Sequence, residues 1–450
     1  MVPPKSEKSE WQPIILPHGE KSEDGTRIRM GQFGGRVYAS ESFRPVLVLG
    51  PQRSYKTSGF AIPAILDWQG PALITSVRRD VIDDTFAWRR QLGNVAIFDP
   101  SGSLKNTRYA KYRHSWDFLD YCESWDDCVR TGLALTEAGR LGGVTEGDFW
   151  YALAGQLLAP HLLAAVRYGY NITDVVRWVK TQEQSLVRSL LKDIGHAKAM
   201  TSAEDAWKRE DRAKSSIYTT ASSVLRIFEY DDIAVTRPPF IDLHGLLASK
   251  GDTLYICAPP DDQEEYRPIF TALVRTLVRL AYANNTLASD QARDLSPEEQ
   301  LKIGRRCDLL LLLDEAGNIA PLENLGTLAT TAAGTGIQMV TVFHDLSQIE
   351  GLYKSAVAHS ILNNHSALMV LPGCKDAETL SYVQSLLQGE RVANSVEGEW
   401  VGPRPIRSME RGQALLIYEN LRPVMLSLRS KFTSGALRDR VDGSKAEIGS

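Results

Sequence analysis

The segment from Val46 to Phe60 constrains the fold more than any other part of the chain. It reads VLVLGPQRSYKTSGF: a short run of valine and leucine, then Gly50, four further residues, Tyr55, Lys56 and a hydroxyl residue before a helical pattern. The order strand, G-x-x-x-x-G-K-[ST], helix is the pattern of a phosphate-binding loop. The backbone N–H groups of such a loop wrap phosphates, its lysine meets the β- and γ-phosphate oxygens, and its hydroxyl binds Mg²⁺. The segment therefore predicts an α/β P-loop fold.

The residues of this loop are the candidate ligands of ATP and Mg²⁺. Lys56 occupies the position of the phosphate-binding lysine, which also acts in catalysis, and Thr57 occupies the position of the metal-binding hydroxyl. The side chain of Arg53 either adds positive charge to the site or faces solvent at a variable position of the loop. The predicted nucleotide-binding residues are Gly50, Gln52, Arg53, Ser54, Tyr55, Lys56, Thr57 and Ser58.

Tyr55 stands where the pattern requires glycine. Glycine is used at this position because the backbone must approach phosphate closely with an unrestricted φ. Two outcomes are open for the tyrosine. Its Cβ could force the loop out of its phosphate-wrapping shape, or the residue could adopt a positive φ at a cost of about 1–3 kcal/mol. A penalty of that size weakens binding by roughly 5- to 150-fold, so we expect Tyr55 to limit the affinity for nucleotide.

A second motif extends from Cys307 to Asn318. Its sequence, CDLLLLLDEAGN, is an apolar run that ends in Asp314 and Glu315. Such a run predicts a strand buried on both faces, as in a parallel sheet. An aspartate at the carboxyl end of the strand can hold Mg²⁺, and the following glutamate can polarise the attacking water. Alone, the pattern is more common as a buried strand before a solvated acidic turn. Together with the first motif it indicates a P-loop NTPase, with Glu315 as a catalytic residue and Asp314 as a metal ligand.

The composition is that of a soluble globular protein. The 450 residues suit two or three domains, or one large domain with an insertion, and the net charge of −4 creates no overall basic field for nucleic acid. The five cysteines form no C-x-x-C pair and the eight histidines no ligand-spaced cluster, which favours reduced cysteines and argues against a structural metal. No uncharged apolar run reaches the roughly 18 residues of a membrane span. The nearest, 149–166, contains Gln156, Pro160 and His161, which favours a buried core helix.

Two patterns divide the chain. Short apolar runs alternate with amphipathic helices towards both ends, which marks a parallel α/β sheet, whereas helical periodicity alone fills the middle. We therefore predict an α/β P-loop fold with a mainly parallel sheet and an inserted all-α domain. The predicted divisions are a flexible N-terminal arm (1–35), a nucleotide-binding P-loop domain (36–119 and 236–432) with an exposed loop at 284–300 and a final edge hairpin at 414–428, the all-α domain (120–235) and a flexible tail (433–450).

The order of these segments resembles that of the type IV coupling proteins of bacterial conjugation and type IV secretion (TraG/TraD type), within the FtsK/HerA-like motor ATPases. The similarity covers most of residues 40–430, and the helical block occupies the place of that family's all-α domain. Besides the two motifs, the segments that carry it are LGNVAIFDPSG, SSIYTTASSVLRIFE, DTLYICAPPDDQEEYRPIFTALV and RGQALLIYENLRPV. The resemblance implies a RecA-like motor domain that forms hexamers with nucleotide between subunits.

The same resemblance implies partners and a location. Its members lead DNA, a relaxase or effector proteins to a secretion channel, and N-terminal helices usually hold them in the inner membrane. No such helices occur in this sequence, so either this member is naturally soluble or the chain begins after them. We expect a cytoplasmic protein at the inner face of the cell membrane, with the all-α block recognising cargo.

The sequence departs from the family pattern at three places. Tyr55 replaces the loop glycine, and His344, in VFHDLSQ, stands where the family usually has a glutamine that senses the γ-phosphate. A catalytic sensor and a hydrogen-bonded core histidine are both open for His344. In addition, no arginine or lysine lies between Glu315 and Lys354, where some members supply an arginine to a neighbouring subunit.

Two functions of different classes follow. The first is an ATP-driven coupling motor, which Gly50, Lys56, Thr57 and the acidic pair favour. The second is a catalytically weak or inactive docking platform that kept the fold, which the three departures favour. The resemblance implies ATP and Mg²⁺ as cofactors, and we expect the motor role with reduced catalytic competence.

Overall fold

The computed structural model describes residues 14–16, 27–76, 79–140, 145–230, 233, 237–259, 261, 263–292, 308–387, 391–394, 398–401, 406 and 409–448. Its strands are β1 (Ile15–Leu16), β2 (Arg29–Phe33), β3 (Arg36–Ala39), β4 (Val46–Leu49), β5 (Ala72–Ser76), β6 (Val95–Phe98), β7 (Thr253–Cys257), β8 (Leu309–Leu313), β9 (Ile337–Phe343), β10 (Ala367–Val370), β11 (Arg391–Asn394), β12 (Gly398–Val401), β13 (Gln413–Tyr418) and β14 (Val424–Ser427).

Helices precede, follow and connect these strands. They are α1 (Ile62–Asp67), α2 (Arg79–Leu92), α3 (Trp125–Arg140), α4 (Thr145–Tyr168), α5 (Ile172–Lys180), α6 (Ser185–Ile194), α7 (Ala197–Trp207), α8 (Asp211–Leu225), α9 (Leu243–Ala248), α10 (Gln263–Ala292), α11 (Ala316–Ile319), α12 (Leu325–Thr331), α13 (Leu346–Asn364), α14 (Ala377–Leu386) and α15 (Gly435–Ile448). A π-helical turn, Lys56–Ala61, leads from the phosphate-binding loop into α1.

All the strands belong to one mainly parallel sheet. Its order is β1-β3-β2-β14-β13-β10-β4-β9-β8-β5-β7-β6, with β11 and β12 attached beside β14. Neighbours from β10 to β6 in this order pair in parallel, whereas the strands on the other side of β10 pair mostly antiparallel. The central strands β4, β5, β8 and β9 are buried over their whole length, as their apolar sequences predicted.

The two faces of the sheet contact different cores. Because successive side chains of a strand point to opposite faces, Leu47 and Leu49 of β4 pack towards the helical block, whereas Val46 and Val48 pack against α1 and α2. The five leucines of β8 divide in the same way. A strand that meets two apolar cores needs no polar alternation, which explains the continuous leucine run.

The middle of the chain, from α3 to α8, contains only helices and the turns between them in its described residues. Helix α4 lies at its centre, with Leu157, Leu158 and Leu162 fully buried. Within the described part of the chain, one stretch, Asp148–Tyr168 of α4, is long and apolar enough to cross a membrane. Its mean hydropathy is 1.3, and 67% of that window is buried inside the protein.

Several predicted boundaries differ from the structure. The arm at 1–35 was expected to be flexible, but its described residues include β1 and β2, which extend the sheet beyond β14. The hairpin β13–β14 therefore lies inside the sheet rather than at its edge.

The tail at 433–450 was also expected to be flexible, but α15 packs on the sheet through the buried side chains of Leu437 and Val441. Helix α10 continues to Ala292, where an exposed loop was predicted. The rest of these segments and Cys307 lie outside the described residues, and the division into domains remains a prediction.

Candidate nucleotide-binding site

The site forms where three neighbouring parallel strands end. Strand β9 lies between β4 and β8, with Leu49 opposite Phe343 and Leu313 opposite Thr341. The carboxyl ends of parallel strands meet at one edge of the sheet, where open α/β folds bind ligands. This topology brings the phosphate-binding loop, the acidic pair after β8 and His344 after β9 to one place, although they are far apart in sequence.

Gly50 makes the turn from β4 into the loop. Its N–H donates to the Phe343 carbonyl at 3.1 Å. A Cβ added at Gly50 would lie 2.6 Å from Ser54 Oγ and 2.9 Å from Leu371 Cβ, so the position has no space for a side chain. Ser54 is buried, and its hydroxyl oxygen has no hydrogen-bond partner among the described residues. The base of the loop is therefore closely packed around a free polar atom.

Tyr55 adopts the left-handed conformation, with φ 78° and ψ 12°. Of the two outcomes left open by the sequence, this is the second: the tyrosine takes the positive φ that glycine would supply. The loop therefore keeps its turn into the Lys56 helix, and the conformational cost of about 1–3 kcal/mol is carried by the folded chain. Arg53 also has a positive φ of 64°, so two residues that are not glycine hold left-handed geometry in this loop.

Lys56, Glu315 and His344 form a compact cluster. The Lys56 side chain is 7% exposed, and its Nζ lies 2.7 Å from His344 Nδ1 and 3.4 Å from Glu315 Oε1. His344 Nε2 lies 2.8 Å from Glu315 Oε2. A neutral imidazole protonated on Nε2 satisfies both contacts, because Nδ1 then accepts from the ammonium group while Nε2 donates to the carboxylate. His344 therefore links the loop lysine to the predicted catalytic acid.

Asp314 and Thr57 face each other across the loop. Thr57 Oγ1 donates to Asp314 Oδ2 at 3.4 Å, and Thr75 Oγ1 donates to the Asp314 backbone carbonyl at 2.8 Å. The other carboxylate oxygen, Asp314 Oδ1, is buried with no hydrogen-bond partner in the described part of the chain. A buried carboxylate oxygen without a partner beside a threonine hydroxyl suits Mg²⁺, which prefers oxygen ligands. The residues present therefore fit the predicted metal.

The two acids carry opposite pKa shifts. Burial, followed by the negative charge of Glu315, raises the pKa of Asp314 to about 6. Burial also opposes ionisation of Glu315, but its hydrogen bond with His344 and the charge of Lys56 outweigh that effect, so the pKa of Glu315 is lowered. Asn318 Nδ2 adds a weak contact to Glu315 Oε2 at 3.4 Å. Glu315 is therefore held as a carboxylate by its neighbours, whereas the ionised form of Asp314 is disfavoured by burial and would be stabilised by a bound cation.

A cavity of about 170 Å³ opens beside the loop. Six of the predicted nucleotide-binding residues line it together with Glu315. The other two, Gly50 and Ser54, lie in the closely packed base of the loop and do not line the cavity. Sequence reasoning missed two lining residues, Asp80 at the start of α2 and Arg411 before β13. Asp80 belongs to no motif. Arg411 opens the segment RGQALLIYENLRPV, which carried the family resemblance but no site assignment, and its position depends on how distant strands pair. The residues that line the cavity are Gln52, Arg53, Tyr55, Lys56, Thr57, Ser58, Asp80, Glu315 and Arg411.

Comparison with known proteins agrees with this geometry. A family model described as "Type IV secretory system Conjugative DNA transfer" matches residues 9–392. The conjugal transfer protein TraG of Escherichia coli is 22% identical over 333 residues, which cover 68% of this chain and 49% of that protein. Protein VirD4 of Agrobacterium fabrum is 26% identical over 352 residues, which cover 76% of this chain and 49% of that protein. The chain thus spans about half the length of these relatives.

The fold comparison reaches further along the chain. A solved structure of the plasmid coupling protein TrwB in complex with ADP and Mg²⁺ has a TM-score of 0.66 to this chain at 18% identity, and covers 94% of both chains. The similarity confirms the predicted fold class, a RecA-like P-loop α/β fold with a mainly parallel sheet.

Proposed function

Because the chain belongs to the type IV secretory system conjugative DNA transfer family, we propose that it is a coupling-protein ATPase. In this role it recruits DNA or protein substrates to a type IV secretion or conjugation channel and drives their transfer by ATP hydrolysis. The observation that carries the proposal is the cluster of Lys56, Glu315 and His344 next to the facing pair of Thr57 and Asp314.

Each residue of the cluster has a distinct task. An ammonium group has three donors, so Lys56 can keep its contacts to His344 and Glu315 and direct its third N–H at a phosphate oxygen. Glu315, ionised at neutral pH, accepts a hydrogen bond from the attacking water and orients it. His344 holds both side chains in place. Bound Mg²⁺ would neutralise charge on the β- and γ-phosphates, and Thr57 and Asp314 would hold it.

The proposal extends to partners and assembly. A cavity of about 170 Å³ is smaller than the 300–1,000 Å³ typical of pockets that enclose a whole small-molecule ligand. A second wall from a neighbouring copy would complete the site, which supports a homo-oligomer such as the hexamer implied by the family. DNA, a relaxase or effector proteins are the proposed substrates, channel components are the proposed partners, and the inner face of the cell membrane is the proposed location.

One experiment tests the function directly. Mg-ATP is titrated into the purified chain by calorimetry, and phosphate release is assayed with and without DNA. We expect binding and DNA-dependent hydrolysis in the wild type, loss of binding in Lys56→Ala, and binding without hydrolysis in Glu315→Gln. Binding without hydrolysis in the wild type would instead indicate a docking platform, and the absence of binding would contradict a nucleotide-dependent function altogether.

A further inference from the structure

Tyr55 does more in this structure than tolerate a position meant for glycine. Its ring is folded back over the first turn of the following helix, where a Cβ added at Gly59 would lie 3.0 Å from Tyr55 Cδ1 and 3.2 Å from Leu428 Cδ1. Gly59 thus leaves room for the ring, and the residue after β14 closes that space from the other side. The tyrosine is packed in a defined place at the mouth of the cavity.

Arg411 lies over this ring. Its guanidinium carbon is 5.1 Å from the centre of the Tyr55 ring, within the range of a cation–π contact. The Arg411 side chain is exposed, and no carboxylate pairs with it among the residues that the structure describes. The face of the Tyr55 ring is therefore the contact that orients the Arg411 guanidinium group.

The sheet topology explains why an arginine so distant in sequence reaches the loop. Strand β13 runs antiparallel to β10, with Leu415 opposite Val370, and β10 runs parallel to β4, with Val370 opposite Leu49. The start of β13 therefore lies at the edge where β4 ends. The backbone N–H of Leu428 also donates to the Gly412 carbonyl at 2.7 Å, which fixes the turn beside Arg411.

We propose that Arg411 is a nucleotide-binding residue and that Tyr55 positions it over the phosphate chain. The inference rests on the proposed nucleotide-dependent function. Arginine presents a planar fork of donors that matches phosphate, and stacking on an aromatic ring holds that fork in orientation. Arg411 shares the cavity with Lys56, Thr57 and Ser58. It contributes a cation from within the same chain to the cavity that Lys56 and Glu315 also line.

This assignment reverses the expected effect of Tyr55→Gly on nucleotide affinity. If the tyrosine only strained the loop, Tyr55→Gly would tighten binding. If it positions Arg411, the same substitution weakens binding because the arginine loses its platform. Tyr55→Phe keeps the ring and should bind nucleotide more tightly than Tyr55→Gly.

Calorimetric titrations with Mg-ADP and with Mg²⁺ plus a non-hydrolysable ATP analogue distinguish these cases. We expect Arg411→Ala to raise Kd for both nucleotides by about ten- to hundredfold, since hydrogen bonds from a charged group are lost. In turnover assays KM should rise with kcat little changed, because the contact is made equally before and during reaction. Arg44→Ala removes the same charge at the opposite edge of the sheet, where Arg44 is half exposed and pairs with Glu419 at 3.8 Å; its Kd should match the wild type.

A double-mutant cycle tests the positioning role of Tyr55. The variant with both Tyr55→Gly and Arg411→Ala should bind no more weakly than Arg411→Ala alone, because the tyrosine acts through the arginine. Arg411→Gln serves as a second variant of the same position, and thermal unfolding confirms that each variant is folded. Wild-type affinity in Arg411→Ala and Arg411→Gln, with binding lost in Lys56→Ala, would overturn this inference and leave the proposed function intact. Tighter binding by Tyr55→Gly would also overturn it.

Discussion

At the scale of single residues, the acidic pair after β8 shows how position decides chemistry. Asp314 and Glu315 are neighbours in sequence, yet burial raises the pKa of one to about 6, whereas His344 and Lys56 lower that of the other against the effect of burial. Neighbouring acids with pKa values displaced in opposite directions are typical of sites in which each has its own role. From the order of the motif alone, the sequence predicted a metal ligand followed by a catalytic acid, and the different contacts of the two carboxylates support that prediction.

Asp314 should reduce the stability of the chain when no cation is bound. Its folded pKa is about 6, above the ordinary value of 3.8, so stability from this group falls as the pH rises from about 4 to about 6. Asp314→Asn removes the effect and should stabilise the fold at pH 7 by up to about 3 kcal/mol. The gain should vanish below about pH 4. Urea unfolding of both proteins at several pH values without Mg²⁺ measures this difference in the free energy of unfolding. An equal difference at acidic and neutral pH would contradict the explanation.

Gly50 should tolerate no side chain. Its added Cβ would lie 2.6 Å from Ser54 Oγ and 2.9 Å from Leu371 Cβ. We expect Gly50→Ala to lower the free energy of unfolding by about 1–3 kcal/mol through overpacking and to weaken nucleotide binding by moving the loop. Gly351→Ala in α13 is the matched control, since a Cβ there meets nothing within 4 Å. If the two variants unfold at the same denaturant concentration, the steric reason is wrong.

At the scale of elements, helix α2 shows where pattern reading fails. Arginines and aspartates are interleaved along it, a pattern typical of a solvated helix face. Instead Arg89 is completely buried and donates to Thr253 Oγ1 and to the carbonyls of Trp68, Gly70 and Gly251. Burial lowers its pKa to about 10, and it remains a cation at neutral pH. The helix is fastened to the loops before β5 and β7.

Replacing Arg89 should therefore destabilise the fold. Arg89→Met leaves three carbonyls and a hydroxyl without their donor, at a cost of at least about 3 kcal/mol, since hydrogen bonds to charged groups contribute about 1.5–3 kcal/mol each. Arg90→Met is the control, because Arg90 is exposed and its recorded contact is with the Tyr112 ring. Thermal unfolding should separate the two variants by many degrees, and similar midpoints would refute a structural role for Arg89.

At the scale of the whole molecule, the helical block and the sheet share one apolar core. Residues of α3, α4 and α8 cluster with Leu309, Leu311 and Leu313 of β8. Polar contacts reinforce the junction: Arg275 of α10 pairs with the buried Glu137 of α3 at 2.9 Å. We expect a single calorimetric unfolding transition, with equal calorimetric and van't Hoff enthalpies. Two resolved transitions would indicate that the all-α block is an independent domain.

Catalysis should depend on assembly. Under the proposed assembly, a neighbouring copy supplies the second wall of the cavity and any cation that acts in trans. In arginine-finger systems such a cation contributes about 10³–10⁵ in rate. Activity of the wild type should therefore rise more steeply than linearly with protein concentration, or on DNA that promotes assembly. Strict proportionality between rate and concentration would contradict a shared site.

The sequence by itself determined the elements whose information is local. The apolar runs form buried strands, and the phosphate-binding loop and the acidic pair directly follow two of these strands, as their motifs predicted. Lys56, Thr57, Asp314 and Glu315 lie close together because the carboxyl ends of parallel strands meet at one edge of the sheet. Only the tertiary structure decided what depends on contacts distant in sequence. The left-handed Tyr55, the burial of Arg89 and the packing of α15 are of this kind, as is the arrival of Arg411 at the loop. The positions of these residues depend on contacts between segments far apart along the chain, and such contacts cannot be predicted from a local sequence pattern.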